Sequence, residues 1–163
     1  LDAYEMADAD GAVVLVNSAA ETAKETADEL RQEGRRVGVL SPNVLRPFPA
    51  DHFRQALRGV KAVTIGDRAD SYGAGGGNLA LEVRAALQAD RGNDTLVMSR
   101  IYGLGGKDFL ASDARAFFAE AISAAYSREV ALPFAYHGAT PGHADRGARR
   151  PVRIVSRRHG CHR

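Results

Sequence analysis

The sequence predicts a three-layer α/β/α domain built on a mostly parallel sheet, and three observations predict it. Four short apolar runs rich in β-branched residues alternate with longer alanine-rich stretches of helical period. Glycine, proline or a capping residue marks most of the junctions between them. With 163 residues and one cysteine, the chain suits a single domain whose core needs no disulfide.

The first unit is Gly11–Asn17, a continuous apolar run that suits a strand buried on both faces. Ser18 offers an N-cap, with Glu21 as its capping-box partner, for a helix over residues 20–33. Ala23, Ala27 and Leu30 share one face of that helix, and Gly34 closes it. The second strand is Arg36–Ser41. Pro47 and Pro49 then hold Val44–Pro49 in an extended path before a short helix, 51–57, that buries Phe53, Ala56 and Leu57. The third strand, Lys61–Asp67, leads through a polar glycine-rich loop, 68–77, to a helix over 78–89 with Leu79, Val83, Ala86 and Leu87 as its buried stripe. The fourth, Thr95–Tyr102, runs into a glycine cluster and a helix over 112–125 carrying Phe117, Phe118, Ala121 and Ile122. Beyond Tyr126 the period fades. Val130–Tyr136 suits either an edge strand or an arm across the surface, so the domain is read as 1–126 and residues 127–163 as an irregular arm and basic tail.

The net charge of +2 hides an asymmetry: residues 1–145 hold all 20 acids and 15 of the 22 Lys and Arg, a net charge of −5. The last 18 residues hold seven arginines and no acid. Such a tail could bind nucleic acid, but it has no hydrophobic period, and the reading preferred here is a disordered terminus without a nucleic-acid role. No apolar run approaches the roughly 18 residues of a membrane span, and the acidic start is unlike a signal region. A cytoplasmic protein without membrane contact is expected. A chain starting at Leu1 without methionine reads as a fragment of a longer polypeptide or as a processed product.

In a parallel sheet, the loops that follow the strands share one edge, where ligands and partners bind. That edge would gather Asn17, Ser18, Arg46, Asp67, Arg68 and the loop Gly103–Asp108 with Gly105, Gly106 and Lys107. Arginine forks beside bare glycine amides suit a carboxylate or phosphate. The same arginines could equally pair with Asp67, Asp108 or a neighbouring chain. Gly103–Asp108 lacks the spacer and the Ser or Thr of a P-loop, and the Gly73–Gly77 cluster lies too far past Asp67 for a dinucleotide fingerprint. The histidines show no metal spacing on a regular element, and no nucleophile elbow is present. Neither a catalytic residue nor a metal ligand is assigned.

Four features in order carry a resemblance: Val44–Pro49, the strand ending in Asp67 and Arg68, the glycine-rich loop before the helix Leu79–Leu87, and Tyr102–Asp108. Over about residues 5–125 this resembles the transketolase C-terminal-like domain in the α-subunit of pyruvate and related 2-oxoacid:ferredoxin oxidoreductases. The resemblance implies an enzyme that oxidatively decarboxylates a 2-oxoacid to an acyl-CoA using thiamine diphosphate, Mg, coenzyme A and iron–sulfur clusters. It also implies partners: a thiamine diphosphate-binding β-subunit or domain, γ and δ subunits or domains, and ferredoxin indirectly. No cofactor is expected on this chain, because cluster binding takes several cysteines and there is one. Its expected work is subunit assembly, with Arg46, Asp67, Arg68, Gly103, Gly105, Gly106, Lys107 and Asp108 as interface or cleft contacts. The competing reading is a stand-alone anion- or nucleotide-binding module.

Overall fold

The computed structural model describes residues 1–139. The basic tail, 146–163, with the close group His159, Cys161 and His162, lies outside the described residues. The elements are β1 (Asp2–Tyr4), β2 (Gly11–Val14), α1 (Ser18–Gln32), β3 (Val37–Ser41), α2 (Ala50–Ala56), β4 (Ala62–Asp67), α3 (Asn78–Gln88), β5 (Leu96–Ile101), α4 (Ala111–Ser127) and β6 (Phe134–Tyr136). They form one sheet in the order β1-β3-β2-β4-β5-β6. Every pairing is parallel except that of β1 with β3.

The continuous apolar character of the central strands is explained by helices on both faces. Val13 of β2 and Val37 and Val39 of β3 pack under α1 and α4 with Ala23, Ala27, Phe117 and Phe118. Ala12, Val14, Leu40, Val63 and Ile65 face α2 and α3 with Phe53, Leu57, Val83 and Leu87. Alternate residues of one strand thus enter opposite cores, as the two-residue period of a strand requires. Thr64, fully buried in β4, is satisfied by donating to the Phe117 carbonyl at 3.0 Å. Among the described residues no helix is long and apolar enough to cross a membrane.

Some local details differ from the sequence expectation. The first helix begins at Ser18, preceded by Asn17 with φ 55°, and makes no side-chain cap hydrogen bond. The Ser18–Glu21 capping box does not form, because Glu21 binds Lys24 at 2.8 Å. The C-terminal end follows the sequence: Gly34 has φ 82° and donates to Arg31, and Arg35 donates to Leu30, the double closure of a Schellman motif. The sequence reading also overlooked β1. Its short, mostly exposed sequence conceals an edge strand pinned by Lys24 to Asp2 at 2.7 Å and by the Tyr4 hydroxyl donating to Asp28 at 2.7 Å. Of the two courses open to Val130–Tyr136, Phe134–Tyr136 takes the edge strand and pairs with Ser99–Ile101.

At the amino edge, far along the strands from the loops named above, Asp10 ties three strands together. Its carboxylate meets Lys61 at 2.8 Å and Arg36 at 2.5 Å, while its carbonyl accepts from the Lys61 backbone. The Lys61 contact is the main cause holding this carboxyl below its usual range, against the upward push of burial.

Candidate functional site

The opposite, carboxyl edge carries the sequence-predicted residues. Asp67 ends β4, and its two oxygens accept the Leu79 amide at 2.9 Å and the Ala80 amide at 3.1 Å. These are orphan donors of the first turn of α3, whose cap residue Gly77 has no side chain to offer. Asp67 therefore caps a helix from the end of a strand. Burial raises its pKa above the usual 3.8, against the lowering effect of the two amides. A carboxyl whose pKa rises on folding contributes most stability below its unfolded value, and that contribution fades as pH climbs through the raised one.

Arg68, the next residue, turns towards the end of β5. Its guanidinium stands 5.9 Å from the centroid of the Tyr102 ring, a cation–π distance. A Cβ at Gly103 would come within 3.0 Å of it, and the left-handed φ of 68° at Gly103 favours glycine there in any case. Tyr102 is a rigid platform because it is 2 % exposed and packed on Phe109 and Phe117, with ring centroids at 4.9 and 6.2 Å. Arg68 makes no ion pair among the described residues. Arg46, from the loop between β3 and α2, pairs with Glu82 of α3 at 2.8 Å and donates to the Leu45 carbonyl. Pairing of these arginines with Asp67 or Asp108 does not occur, since Asp67 is committed to helix amides and Arg46 to Glu82.

Between these loops lies an open cleft of about 460 Å³. Val16, Leu45, Phe48 and Leu79 give it apolar walls, and Arg46 and Arg68 stand among its lining. It sits outside the ends of β2 and β4, whose following helices pack on opposite faces of the sheet. That is the switch point where open α/β sheets place their binding crevices.

The glycine loop is a short 3-10 turn, Leu104–Gly106, in which Gly103, Gly105 and Gly106 have φ of 68°, 70° and 78°. Three left-handed positions in one tight turn account for the glycines without any phosphate. Lys107 turns away to donate to the Gly138 carbonyl at 2.5 Å. Asp108 is exposed and has no polar partner among the described residues. The loop is thus one wall of the edge and does not form a cradle.

Sequence reasoning missed how the arm after α4 secures this edge. The Tyr136 hydroxyl donates to Asp70 at 2.5 Å, fixing the loop after β4. His137 meets Asp113 at 2.7 Å and sets its ring edge-on against Phe117 at 5.0 Å. Arg84 and Arg100 donate to the carbonyls of Pro133 and Leu132 at 2.8 and 3.0 Å. No periodicity announces contacts between residues this far apart. Val44 (54 % exposed), Leu45 (44 %), Tyr72 (93 %), Leu104 (42 %) and Leu110 (58 %) lie on loops of this edge, whereas the exposed Tyr126 and Leu132 lie at the end of α4 and on the arm.

Residues 9–114 match the family model described as pyruvate:ferredoxin oxidoreductase core domain II. The chain is 38% identical over 123 residues to the pyruvate synthase subunit PorA of Thermotoga maritima, covering 76% of this chain and 31% of that protein. It is 36% identical over 112 residues to the pyruvate:ferredoxin oxidoreductase of Moorella thermoacetica, covering 68% of this chain and 10% of that protein. It thus spans about a third or less of these relatives. Among solved structures, a split-gene transketolase, described as an inactive beta4 tetramer, superposes with a TM-score of 0.56 at 18% identity over 75% of this chain and 41% of that one. The shared fold bears out the expected transketolase C-terminal-like architecture. The order of strand-end motifs, the fold and the match over 9–114 converge: this chain belongs to the pyruvate:ferredoxin oxidoreductase core domain II family.

Proposed function

We propose that this domain is an assembly element of the α-subunit of a pyruvate-type 2-oxoacid:ferredoxin oxidoreductase and joins the rest of that enzyme through its carboxyl edge. The complete enzyme would convert a 2-oxoacid to an acyl-CoA, with ferredoxin as electron acceptor. The observation that carries the reading is that five of the seven large apolar residues exposed among the described residues, Val44, Leu45, Tyr72, Leu104 and Leu110, lie on loops of one edge. Exposed apolar side chains gathered in this way mark a surface that is covered by a partner.

The residues of this chain do not fit the enzyme's iron–sulfur clusters, which take several thiolates where the sequence has one cysteine. Among the described residues no group of three His, Cys, Asp or Glu converges to hold a metal ion such as the Mg²⁺ that accompanies thiamine diphosphate. Those groups belong to partner chains or domains in this reading. The domain's part is to hold the edge loops rigid: Asp67 fixes the start of α3, Tyr102 supports Arg68, and the arm fixes Asp70 and Asp113.

Co-expression with a thiamine diphosphate-binding β-subunit, followed by purification on a tag carried by this chain, tests the reading. A complex of fixed stoichiometry is expected to elute. A chain that elutes alone and binds no thiamine-enzyme partner would overturn it.

A further inference from the structure

We propose that the carboxyl edge receives a protein segment carrying one carboxylate set among apolar side chains, and that the Arg68 guanidinium is its recognition point. The inference deepens the assembly role proposed above and rests on it. The other polar groups of the edge are largely committed within the chain: Asp67 to the α3 amides, Asp70 to Tyr136, Arg46 to Glu82, and Lys107 to the Gly138 carbonyl. Arg68 is exposed and makes neither an ion pair nor a hydrogen bond among the described residues, and its one aromatic neighbour orients it. It lies over the Tyr102 ring and against Gly103, where the loops after β4 and β5 meet, and it joins Leu45 and Phe48 in lining the switch-point cleft.

A guanidinium fork that rests against an aromatic ring and still has its donors to give is suited to binding a carboxylate bidentately. The surroundings favour a protein segment over a free acid. Leu45 and Leu104, on the loops either side, are exposed at 44 % and 42 %, and seating apolar side chains there would dry the ion pair and strengthen it. Asp108, exposed on the loop after β5 and without a partner among the described residues, disfavours a broadly acidic surface. One carboxylate in an apolar setting satisfies both.

The test uses the full-length protein containing this chain, assembled with its partner subunits. Arg68→Gln is expected to weaken assembly by about thirtyfold or more, the scale for removing one member of a desolvated charge pair. Arg68→Lys keeps the charge and supplies an amine for zero-length carbodiimide coupling. Mass spectrometry of the assembled Arg68→Lys protein is expected to find the new lysine joined to an Asp or Glu outside residues 1–163, flanked by apolar residues. Unchanged affinity in Arg68→Gln, or an intact complex in which that lysine couples only to carboxylates of this chain, would overturn the inference while leaving the assembly role standing. Failure of the unaltered chain to assemble would instead remove the assembly role itself.

Discussion

Replacing Phe117 with alanine is expected to cost the domain about 3–5 kcal/mol. Phe117 is fully buried on α4 and packs among Tyr102, Phe109 and the His137 ring. Removing the ring leaves a void where three elements meet, and the fixed strands β2 and β4 beneath α4 leave it little room to collapse. The loss reaches the candidate site directly, since Phe117 supports Tyr102 and Tyr102 supports Arg68. Urea denaturation followed by circular dichroism measures it as a lower midpoint with an unchanged slope. A cost below about 1 kcal/mol would mean that the packing around Tyr102 is looser than described, because even a single buried methylene contributes on that scale.

The second large effect is expected at Gly77. An added Cβ would lie 2.2 Å from the Cβ and Cγ of Asp67, whose carboxylate is already bound to the Leu79 and Ala80 amides. Either the helix start or the strand end must move, so Gly77→Ala is expected to cost about 2–4 kcal/mol, combining overpacking with lost charge-assisted hydrogen bonds. Gly92→Ala is the control, because a Cβ there finds its nearest neighbour at 3.6 Å. The diagnostic is non-additivity: Asp67→Gly removes both the Cβ and the Cγ that the new methyl would strike, so Gly77→Ala should cost much less on that background. Equal costs on both backgrounds would show that the two residues do not meet.

The fold was legible because its signals are local. Val13, Val39, Val63 and their neighbours form uninterrupted apolar runs since both faces of the sheet are covered, and Ala23, Ala27 and Leu30 repeat at helical spacing. Gly34 could be read as a helix end because a left-handed closure favours glycine. β1 escaped because an edge strand of three residues, two of them exposed, has no apolar run to show. The Ser18 cap was misassigned because Asn17 takes the turn, and Glu21 has a better partner in Lys24.

The site was legible in its address and not in its wiring. Knowing that strand ends share an edge brought Arg46, Asp67, Arg68 and Gly103 together. What each does depends on distant residues: Asp67 serves a helix that begins 11 positions later, Arg46 serves Glu82, and Lys107 serves the arm. Arg68 stands apart since Tyr102, which supports it, belongs to the same sheet core that makes the strands readable. Its lack of an acidic partner among the described residues is a property of three-dimensional neighbours and leaves no mark on the sequence.

In the proposed assembly, this domain meets the rest of the enzyme through its carboxyl edge. Hydrogen–deuterium exchange of the chain alone and within the assembled complex tests it most directly. Assembly is expected to slow exchange in residues 43–48, 68–77 and 103–110, while the amino-edge turns at 58–61 and 89–94 exchange as before. Protection confined to the amino edge, with the three carboxyl-edge loops unchanged, would contradict it.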